Sequence, residues 1–439
     1  MKKIKVFAAI DYILLACVIC LTLIGIAFIY SAAINRDGVL TNTNYLKQIL
    51  WGCSGLVFMI AIACYDYRKT ERYIFWIFVV ACLVLLYTAF GGRYVNGSRS
   101  WIGFGAFSIQ PAEFCKVIFI VFLAWYLNNS ENENPLKRFI VSVSILALML
   151  GLIMLQPDLG TALVFIPIFI FMAFASGIKL KYIMIFISVG ALTILFTMLP
   201  VWETYIVRHS IPLLKVLNES RLRMIVTLGF FAVMLVGILG CILFKNSKYY
   251  YWIAYIAGII CISLIASKFV GLKLKGYQLK RLIIFLNPYV DPKDSGWNII
   301  QSKIAIGAGG FFGRGFLRGM QSHLNYLPEQ GTDFIFSILC EEWGFAGGFI
   351  VFLLYLIIML RTIYILKETH SKYGCYIVTG IFGMFFFHFV ENIGMVMGLM
   401  PITGIPLLFL SYGGSSLWTS MICIGLVMAI RYRRFNFMD

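Results

Sequence analysis

Residues 12–31, YILLACVICLTLIGIAFIYS, form twenty consecutive positions without a charged side chain. Crossing the hydrocarbon of a bilayer takes about 20 mostly apolar residues in a helix, so this stretch is typical of a transmembrane helix. Of the 439 residues, 61% are hydrophobic and 13% are charged, whereas about a quarter of the residues in an ordinary soluble domain are charged. The sequence therefore predicts a polytopic membrane protein.

Eleven further apolar stretches follow the first. A helix is the only open element that satisfies its own backbone hydrogen bonds in lipid, so the fold class we expect is all-α. Residues 1–439 are predicted to form a single multi-pass transmembrane domain. The predicted spans are 12–31, 45–64, 73–90, 111–128, 139–155, 158–176, 182–200, 224–244, 250–270, 333–360, 374–398 and 405–430.

The positions of Lys and Arg predict the orientation of these spans. Lys2, Lys3 and Lys5 favour a cytoplasmic N-terminus, because cytoplasmic loops carry an excess of positive charge. Alternation from there makes every predicted cytoplasmic loop basic, and it places the C-terminus in the cytoplasm as well. Much of the net charge of +17 thus reflects membrane topology, and we expect no nucleic-acid partner.

The segment 271–332 is predicted to be a large extracytoplasmic loop, and it is basic too. It contains eight Lys and Arg against three Asp and Glu. A long loop is largely exempt from the rule for cytoplasmic charge, so this surplus indicates an anionic partner at the outer leaflet, such as a lipid phosphate. Within this loop, NPYVDPKDSGWNIIQSK (287–303) combines turn-forming Asn, Pro and Gly with charged residues.

Several ionisable residues lie within or beside the predicted spans. Each costs roughly 2.5–3.5 kcal/mol at the centre of a membrane on insertion scales, so such residues tend to face a cavity. Glu113 and Lys116 share a helix face and can neutralise each other as a structural ion pair. Asp158 suits the positive end of a helix as a simple cap, and Asp333 lies at another predicted helix start. Functional and structural interpretations of these residues both stay open.

Two other stretches suggest special backbone structure. RYVNGSRSWIGFGAFSIQPAEF (93–114) mixes turn residues with aromatic ones and predicts a short interfacial element, in which Trp101 could serve only as a membrane anchor. PITGIPLLFLSYGGSSLW (401–418) interrupts an apolar run with two prolines and paired glycines. A broken helix at membrane depth is tolerated only against protein or a wet cavity, so this stretch suggests a pocket.

Cysteine and histidine offer little chemistry. The eleven cysteines fall in or beside apolar spans, where Cys packs as a small hydrophobic residue, and we expect no disulfides. The four histidines lack the spacing of metal ligands, so no metal site is predicted.

Five blocks resemble, in order and spacing, the SEDS family of bacterial shape, elongation, division and sporulation proteins. They are NGSRSWIGFGAFSIQPAEFCK (96–116), QPDLGTAL (156–163), NPYVDPKDSGWNIIQSKIAIGAGGFFGRG (287–315), LPEQGTDFIFSILCEEWGFAG (327–347) and MPITGIPLLFLSYGGSS (400–416). The resemblance implies a helical bundle of about ten spans, which makes 224–244 and 250–270 an extra pair. The Gly-rich part of the third block is more similar to the elongation members of the family. Membership of the division or sporulation type is the alternative.

The resemblance also implies a function. Family members are peptidoglycan glycosyltransferases that polymerise lipid II, an undecaprenyl-pyrophosphate-linked disaccharide peptide, at the outer face of the bacterial cytoplasmic membrane. They work with a class B penicillin-binding protein and with other proteins of the elongation or division complex. Asp291 matches the family's essential loop aspartate. Other positions that match polar or aromatic motif residues are Trp101, Glu113, Lys116, Asp158, Lys303 and Asp333. Gly331 stands where the family usually has His.

The chemistry can be considered without the family. Joining two sugars requires a base for the acceptor hydroxyl and cations for the departing pyrophosphate. Asp291 is our candidate base, with Arg281, Lys293 and Lys303 as nearby cations. The alternative is that Asp291 merely forms an Asp-Pro turn. No cofactor is required, although a divalent cation such as Mg²⁺ or Mn²⁺ stays open. A transporter that flips lipid-linked precursor and a non-catalytic scaffold are the rival functions.

Overall fold

The computed structural model describes residues 10–95, 97–104, 107–207, 209, 211–244, 248–273, 281, 284–292, 295–324, 326–327 and 329–433. Within these ranges, eleven helices are long and apolar enough to span a membrane, and a twelfth apolar helix has 17 residues. The prediction of an all-α membrane protein is therefore confirmed. The residues Lys2, Lys3, Lys5 and Lys293, used in the predictions above, lie outside the described residues.

The helices begin and end close to the predicted boundaries. They are α1 (Tyr12–Ala32), α2 (Asn44–Cys64), α3 (Ile74–Gly91), α4 (Pro111–Asn129), α5 (Pro135–Met154), α6 (Leu159–Ala175), α7 (Leu180–Trp202), α8 (Ser220–Leu243), α9 (Lys248–Lys273), α10 (Ser295–Gly309), α11 (Ile335–Glu368), α12 (Lys372–Val396) and α13 (Gly414–Tyr432). The predicted extra pair corresponds to α8 and α9. Helix α10 lies within the segment that the sequence analysis treated as a loop.

Side-chain caps explain several of these boundaries. Asp11 Oδ1 accepts hydrogen bonds from the backbone N–H groups of Ile13 and Leu14 at the start of α1. Asn134 caps α5 in the same way, with Pro135 as the first helical residue. The first N–H groups of a helix have no hydrogen-bond partner within the helix, and lipid cannot supply one. The capping side chains provide it.

The chain forms two compact units by its internal contacts, which we call the core unit (from residues 1–178 and 301–439) and the inserted unit (from 179–300). In the core unit, α4, α12 and α13 are the most buried of the membrane-length helices. In the inserted unit, α9 packs against both α7 and α8. Gly237 and Gly240 allow α8 to approach Ala254 and Tyr250 of α9 closely.

The stretch 93–114 contains a small antiparallel sheet as well as the start of α4. Strand β1 (Arg93–Val95) pairs with β2 (Ser98–Phe104), and β2 pairs with β3 (Phe107–Ile109). The register places Arg93 opposite Trp101 and Ile102 opposite Ile109. The sequence predicted only a short interfacial element here, because three short strands lack a clear periodicity.

Two predicted spans differ from the observed helices. The span 405–430 begins too early, because residues 397–413 are not helical and α13 starts at Gly414. We call residues 397–413 the broken segment. Its position agrees with the interruption predicted at 401–418. The span 333–360 corresponds to α11, which breaks at Gly344 (φ 67°, ψ −162°) and extends to Glu368.

The glycines of the third block allow close backbone packing. A Cβ atom at Gly309 would collide with the carbonyl of Cys340, and one at Gly313 with the carbonyl of Glu342. The 310–315 segment thus lies directly against the break in α11.

Candidate active site

A buried ion pair occupies the first turns of α4. Pro111 starts the helix, and Lys116 Nζ lies 2.8 Å from Glu113 Oε1. The two residues are only 1% and 3% exposed, so the predicted shared face is confirmed. Glu113 Oε2 is buried and has no hydrogen-bond partner among the described residues. A buried charge pair is expensive to maintain unless its remaining polar atoms are satisfied.

His388 of α12 extends this pair. Its Nε2 lies 3.1 Å from Lys116 Nζ, and its Nδ1 lies 3.0 Å from the carbonyl oxygen of Pro406 in the broken segment. A continuous polar chain therefore runs from Glu113 through Lys116 and His388 to the broken segment. His388 was not predicted as a site residue, because a lone histidine in an apolar helix belongs to no recognisable motif.

Asp158 caps α6 and also binds a side chain from another part of the fold. Its Oδ1 accepts from the backbone N–H of Thr161 at 3.1 Å, and its Oδ2 accepts from the Thr161 hydroxyl at 2.8 Å. Gln110, just before α4, donates from Nε2 to Asp158 Oδ2 at 2.8 Å. The predicted capping role is correct, and the bond to Gln110 joins the start of α6 to the start of α4.

The broken segment collects further polar side chains from α12. Thr403 donates its hydroxyl to Glu391, and Asn392 Nδ2 donates to the carbonyls of Asp333 (2.9 Å) and Ile405 (2.8 Å). Glu391 Oε2 and Asn392 Oδ1 are buried and without partners in the described part of the chain. The Asp333 carboxylate lies near Gly404, where a Cβ atom would be 3.2 Å from Asp333 Oδ2.

Gly331, which stands in place of the family's usual His, also contacts the broken segment. Its carbonyl accepts a hydrogen bond of 2.9 Å from the backbone N–H of Tyr412. This contact between residue 331 and the broken segment is made by the backbone.

The structure brings Glu113, Lys116, Asp158 and Asp333 together around the broken segment of the core unit. The close approach of Gly160 in α6 to the Thr403 carbonyl completes this arrangement. Lys303 projects exposed from α10, next to Ser302, which is buried and donates to the Val396 carbonyl at 2.6 Å. Trp101 is half-buried in β2.

Asp291 and Arg281 belong to the inserted unit. Asn287 Oδ1 accepts from the backbone N–H of Tyr289 at 3.0 Å and starts a 3₁₀ turn, Pro288–Val290, which Asp291 follows. The Asp291 carbonyl accepts from the N–H of Gly296 at 3.1 Å, which closes the loop onto the start of α10. Asp291 and Arg281 are both half-buried. The turn before Asp291 and the bond from Gly296 constrain the backbone at this residue.

An apolar groove of about 760 Å³ lies between α3 and α4 beside the sheet. Its wall includes Trp76, Val80, Ile102, Ile109, Phe114 and Ile118. Ile102 directly follows Trp101 and Phe114 directly follows Glu113 in the sequence, although neither Trp101 nor Glu113 lines the groove. A cavity of this size and composition suits a hydrocarbon chain.

Across the described residues, no three or more His, Cys, Asp and Glu side chains are grouped as they would be to hold a metal ion. We therefore assign no ligands to the divalent cation that the sequence analysis left open.

Comparisons with known proteins agree with these features. A family model described as cell cycle protein, for FtsW, RodA and SpoVE, matches residues 11–223 and 222–435. The chain is similar to the peptidoglycan glycosyltransferase RodA of Treponema pallidum (strain Nichols), with 50% identity over 432 residues that cover 98% of this chain and 100% of the relative. It is also similar to the stage V sporulation protein E of Bacillus subtilis (strain 168), with 33% identity over 434 residues that cover 97% of this chain and 98% of the relative.

Two solved structures share the fold. One, described as the structural coordination of polymerization and crosslinking by a peptidoglycan synthase complex, has a TM-score of 0.67 and 23% identity and covers 97% of this chain and 98% of its own. The other, the rod shape determining protein RodA of Thermus thermophilus, has a TM-score of 0.59 and 20% identity and covers 97% of each chain. With its motifs, its helical fold and these full-length matches, this chain belongs to the FtsW/RodA/SpoVE family of cell cycle proteins, which is the SEDS family.

Proposed function

We propose that this chain is a peptidoglycan glycosyltransferase that polymerises lipid II at the outer face of the cytoplasmic membrane. The observation that carries this proposal is the full-length match to a relative named for that activity. The same match favours a role in elongation and cell shape over division or sporulation, because the sporulation relative is much less similar.

The apolar groove supports a lipid-linked substrate. It lies between α3 and α4, and its wall includes Ile102 and Phe114, which follow Trp101 and Glu113 in the sequence. A long isoprenoid chain in this groove would bury hydrocarbon while its head lies at the polar residues. In this arrangement Trp101, Glu113, Lys116, Asp158 and Asp333 contact the saccharide or its pyrophosphate.

Asp291 acts as the general base in this proposal. Its carboxylate takes the proton from the acceptor hydroxyl while that oxygen bonds to the anomeric carbon, and the bond to the pyrophosphate oxygen breaks. Arg281 and Lys303 supply positive charge for the departing lipid pyrophosphate. The constrained turn before Asp291 favours this role, since a base must keep a defined direction toward the proton it removes.

Purified protein in liposomes containing lipid II tests the proposal. We expect glycan strands from the wild type and a loss of about 100-fold or more for Asp291→Asn, which keeps the shape but removes the base. Asp37→Asn is the matched control, because Asp37 is an exposed turn residue of the core unit to which the proposal gives no role. Lipid scrambling without strands would support a transporter instead, and the absence of both would support a scaffold.

We further propose a class B penicillin-binding protein as the partner, with the other proteins of the elongation complex around it. The family membership supports this assignment. Affinity purification of the chain from its own membranes should recover such a transpeptidase in about equal amount, and recovery of a division-specific synthase would contradict the elongation role.

A further inference from the structure

The imidazole of His388 lies between two polar groups in the interior of the core unit. It is 1% exposed, with Nδ1 at 3.0 Å from the Pro406 carbonyl oxygen and Nε2 at 3.1 Å from Lys116 Nζ. A carbonyl oxygen can only accept a hydrogen bond, so Nδ1 carries the hydrogen. Nε2 is then the acceptor, and Lys116 donates to it.

Lys116 is thereby held in one orientation. Its ammonium group donates to Glu113 Oε1 and to His388 Nε2, which uses two of its three hydrogens. Because the ammonium is tetrahedral, these two bonds fix the direction of the third N–H. No further hydrogen-bond partner of Nζ is found among the described side chains and backbone, and Glu113 Oε2 lacks one as well.

We infer that His388 is a positioning residue for glycosyl transfer, which accepts a hydrogen bond from Lys116 and thereby directs the remaining ammonium hydrogen at an anionic group of the substrate. This inference rests on the proposed function, in which the anionic group is the pyrophosphate of the lipid-linked sugar. His388 acts as a fixed acceptor and transfers no proton during the reaction. Its second bond, to Pro406, ties Lys116 to the broken segment on which Glu391, Asn392 and Asp333 also converge.

Two substitutions separate this role from a merely structural one. His388→Gln offers both an acceptor and a donor on one planar group but cannot titrate, whereas His388→Met is similar in bulk and lacks both. Phe389→Met is the matched control, because Phe389 is the next residue on α12 and its ring contacts only the rings of Phe352 and Tyr355 among the described aromatic pairs. Thermal unfolding in detergent identifies any variant that fails to fold.

The decisive measurement is the kcat and KM of lipid II polymerisation. We expect His388→Gln and Phe389→Met to stay within about threefold of the wild type, and folded His388→Met to lose about tenfold or more in kcat. Full activity of His388→Met would overturn the inference. Equal losses in His388→Gln and His388→Met would also overturn it, because the ring or its proton would then be required. A wild type that makes no strands would refute the proposed function itself.

Discussion

At the scale of single residues, the buried pair of Glu113 and Lys116 has both a local and a distant partner. Glu113 and Lys116 are three positions apart on a helix, and their pairing follows from helix geometry alone. The partners of that pair could not be predicted. His388 lies more than 270 positions away and reaches Lys116 only because α4 and α12 pack together.

Gly296 provides a prediction about the Asp291 loop. A Cβ atom at residue 296 would lie 2.5 Å from the Asp291 carbonyl oxygen and would also collide with that of Pro288. Backbone atoms cannot yield as a flexible side chain does, so Gly296→Ala should displace Asp291. We expect lipid II polymerisation to fall by about 100-fold, as a displacement near 1 Å can cause.

Gly307 is the matched control for this substitution. It lies on the same helix, α10, and a Cβ atom there meets nothing within 4 Å. Gly307→Ala should keep full activity and should stabilise the helix by about 0.5–1 kcal/mol, since Ala loses less backbone freedom on folding. Wild-type activity in Gly296→Ala would show that the loop conformation is unimportant for catalysis.

At the scale of elements, the break in α11 shows how a helix can be interrupted within a membrane protein. The N–H groups of Phe345 and Ala346 donate to the carbonyls of Gly310 and Phe311 at 2.9 and 3.0 Å. The carbonyls of Glu341 and Glu342 accept from the N–H groups of Arg314 and Gly315, both at 3.0 Å. The 310–315 segment thus supplies the backbone partners that the interrupted helix lacks, as membrane burial demands.

Gly344 makes this break possible, and its replacement tests the arrangement. Its φ of 67° is costly for any residue with a side chain, and a Cβ atom would collide with the N–H of Gly313 and lie 2.6 Å from the Phe311 carbonyl oxygen. Gly344→Ala should therefore lower the free energy of unfolding by at least about 1–3 kcal/mol. Titration with sodium dodecyl sulfate measures this change.

Gly151 of α5 is a suitable control for the same titration, because a Cβ atom there meets nothing within 4 Å. Gly151→Ala should leave the transition unchanged or move it to higher detergent. If Gly344→Ala unfolded at the wild-type midpoint, the break would be incidental to stability.

Arg138 contributes both to the predicted membrane topology and to helix packing. In the sequence it is one of the basic residues of a predicted cytoplasmic loop. In the fold it is 6% exposed and donates to the carbonyls of Leu127 (2.6 Å) and Ser176 (2.8 Å), near the ends of α4 and α6. Positive charge at helix C-termini is favourable. Through these bonds Arg138 joins α5 to α4 and α6.

At the scale of the whole molecule, the orientation in the membrane is open to a direct test. The excess of Lys and Arg in alternate loops predicts cytoplasmic termini and an external 271–332 segment. Alkaline phosphatase fused after residue 292 should be active, because it folds only outside the cytoplasm, while a fusion after residue 439 should be inactive. A green fluorescent protein fusion at residue 439 should fluoresce, and the opposite pattern would reverse the topology.

The sequence by itself determined the fold class, the approximate helix boundaries and the family. Each of these depends on information that is local along the chain: the length of apolar runs, the caps, and motifs whose order survives in relatives. The broken segment was predictable for the same reason, since the prolines and glycines of the stretch 401–418 act on their own backbone.

Only the tertiary structure decided which polar groups meet. His388, Glu391 and Asn392 lie on α12, Asp158 caps α6 and Asp333 precedes α11. Their hydrogen bonds depend on how α4, α6 and α12 pack around the broken segment. Helix packing is set by many small contacts between distant residues, which no local pattern encodes. The physical reason is that a buried polar atom must find a partner wherever the fold supplies one, whatever its distance along the chain.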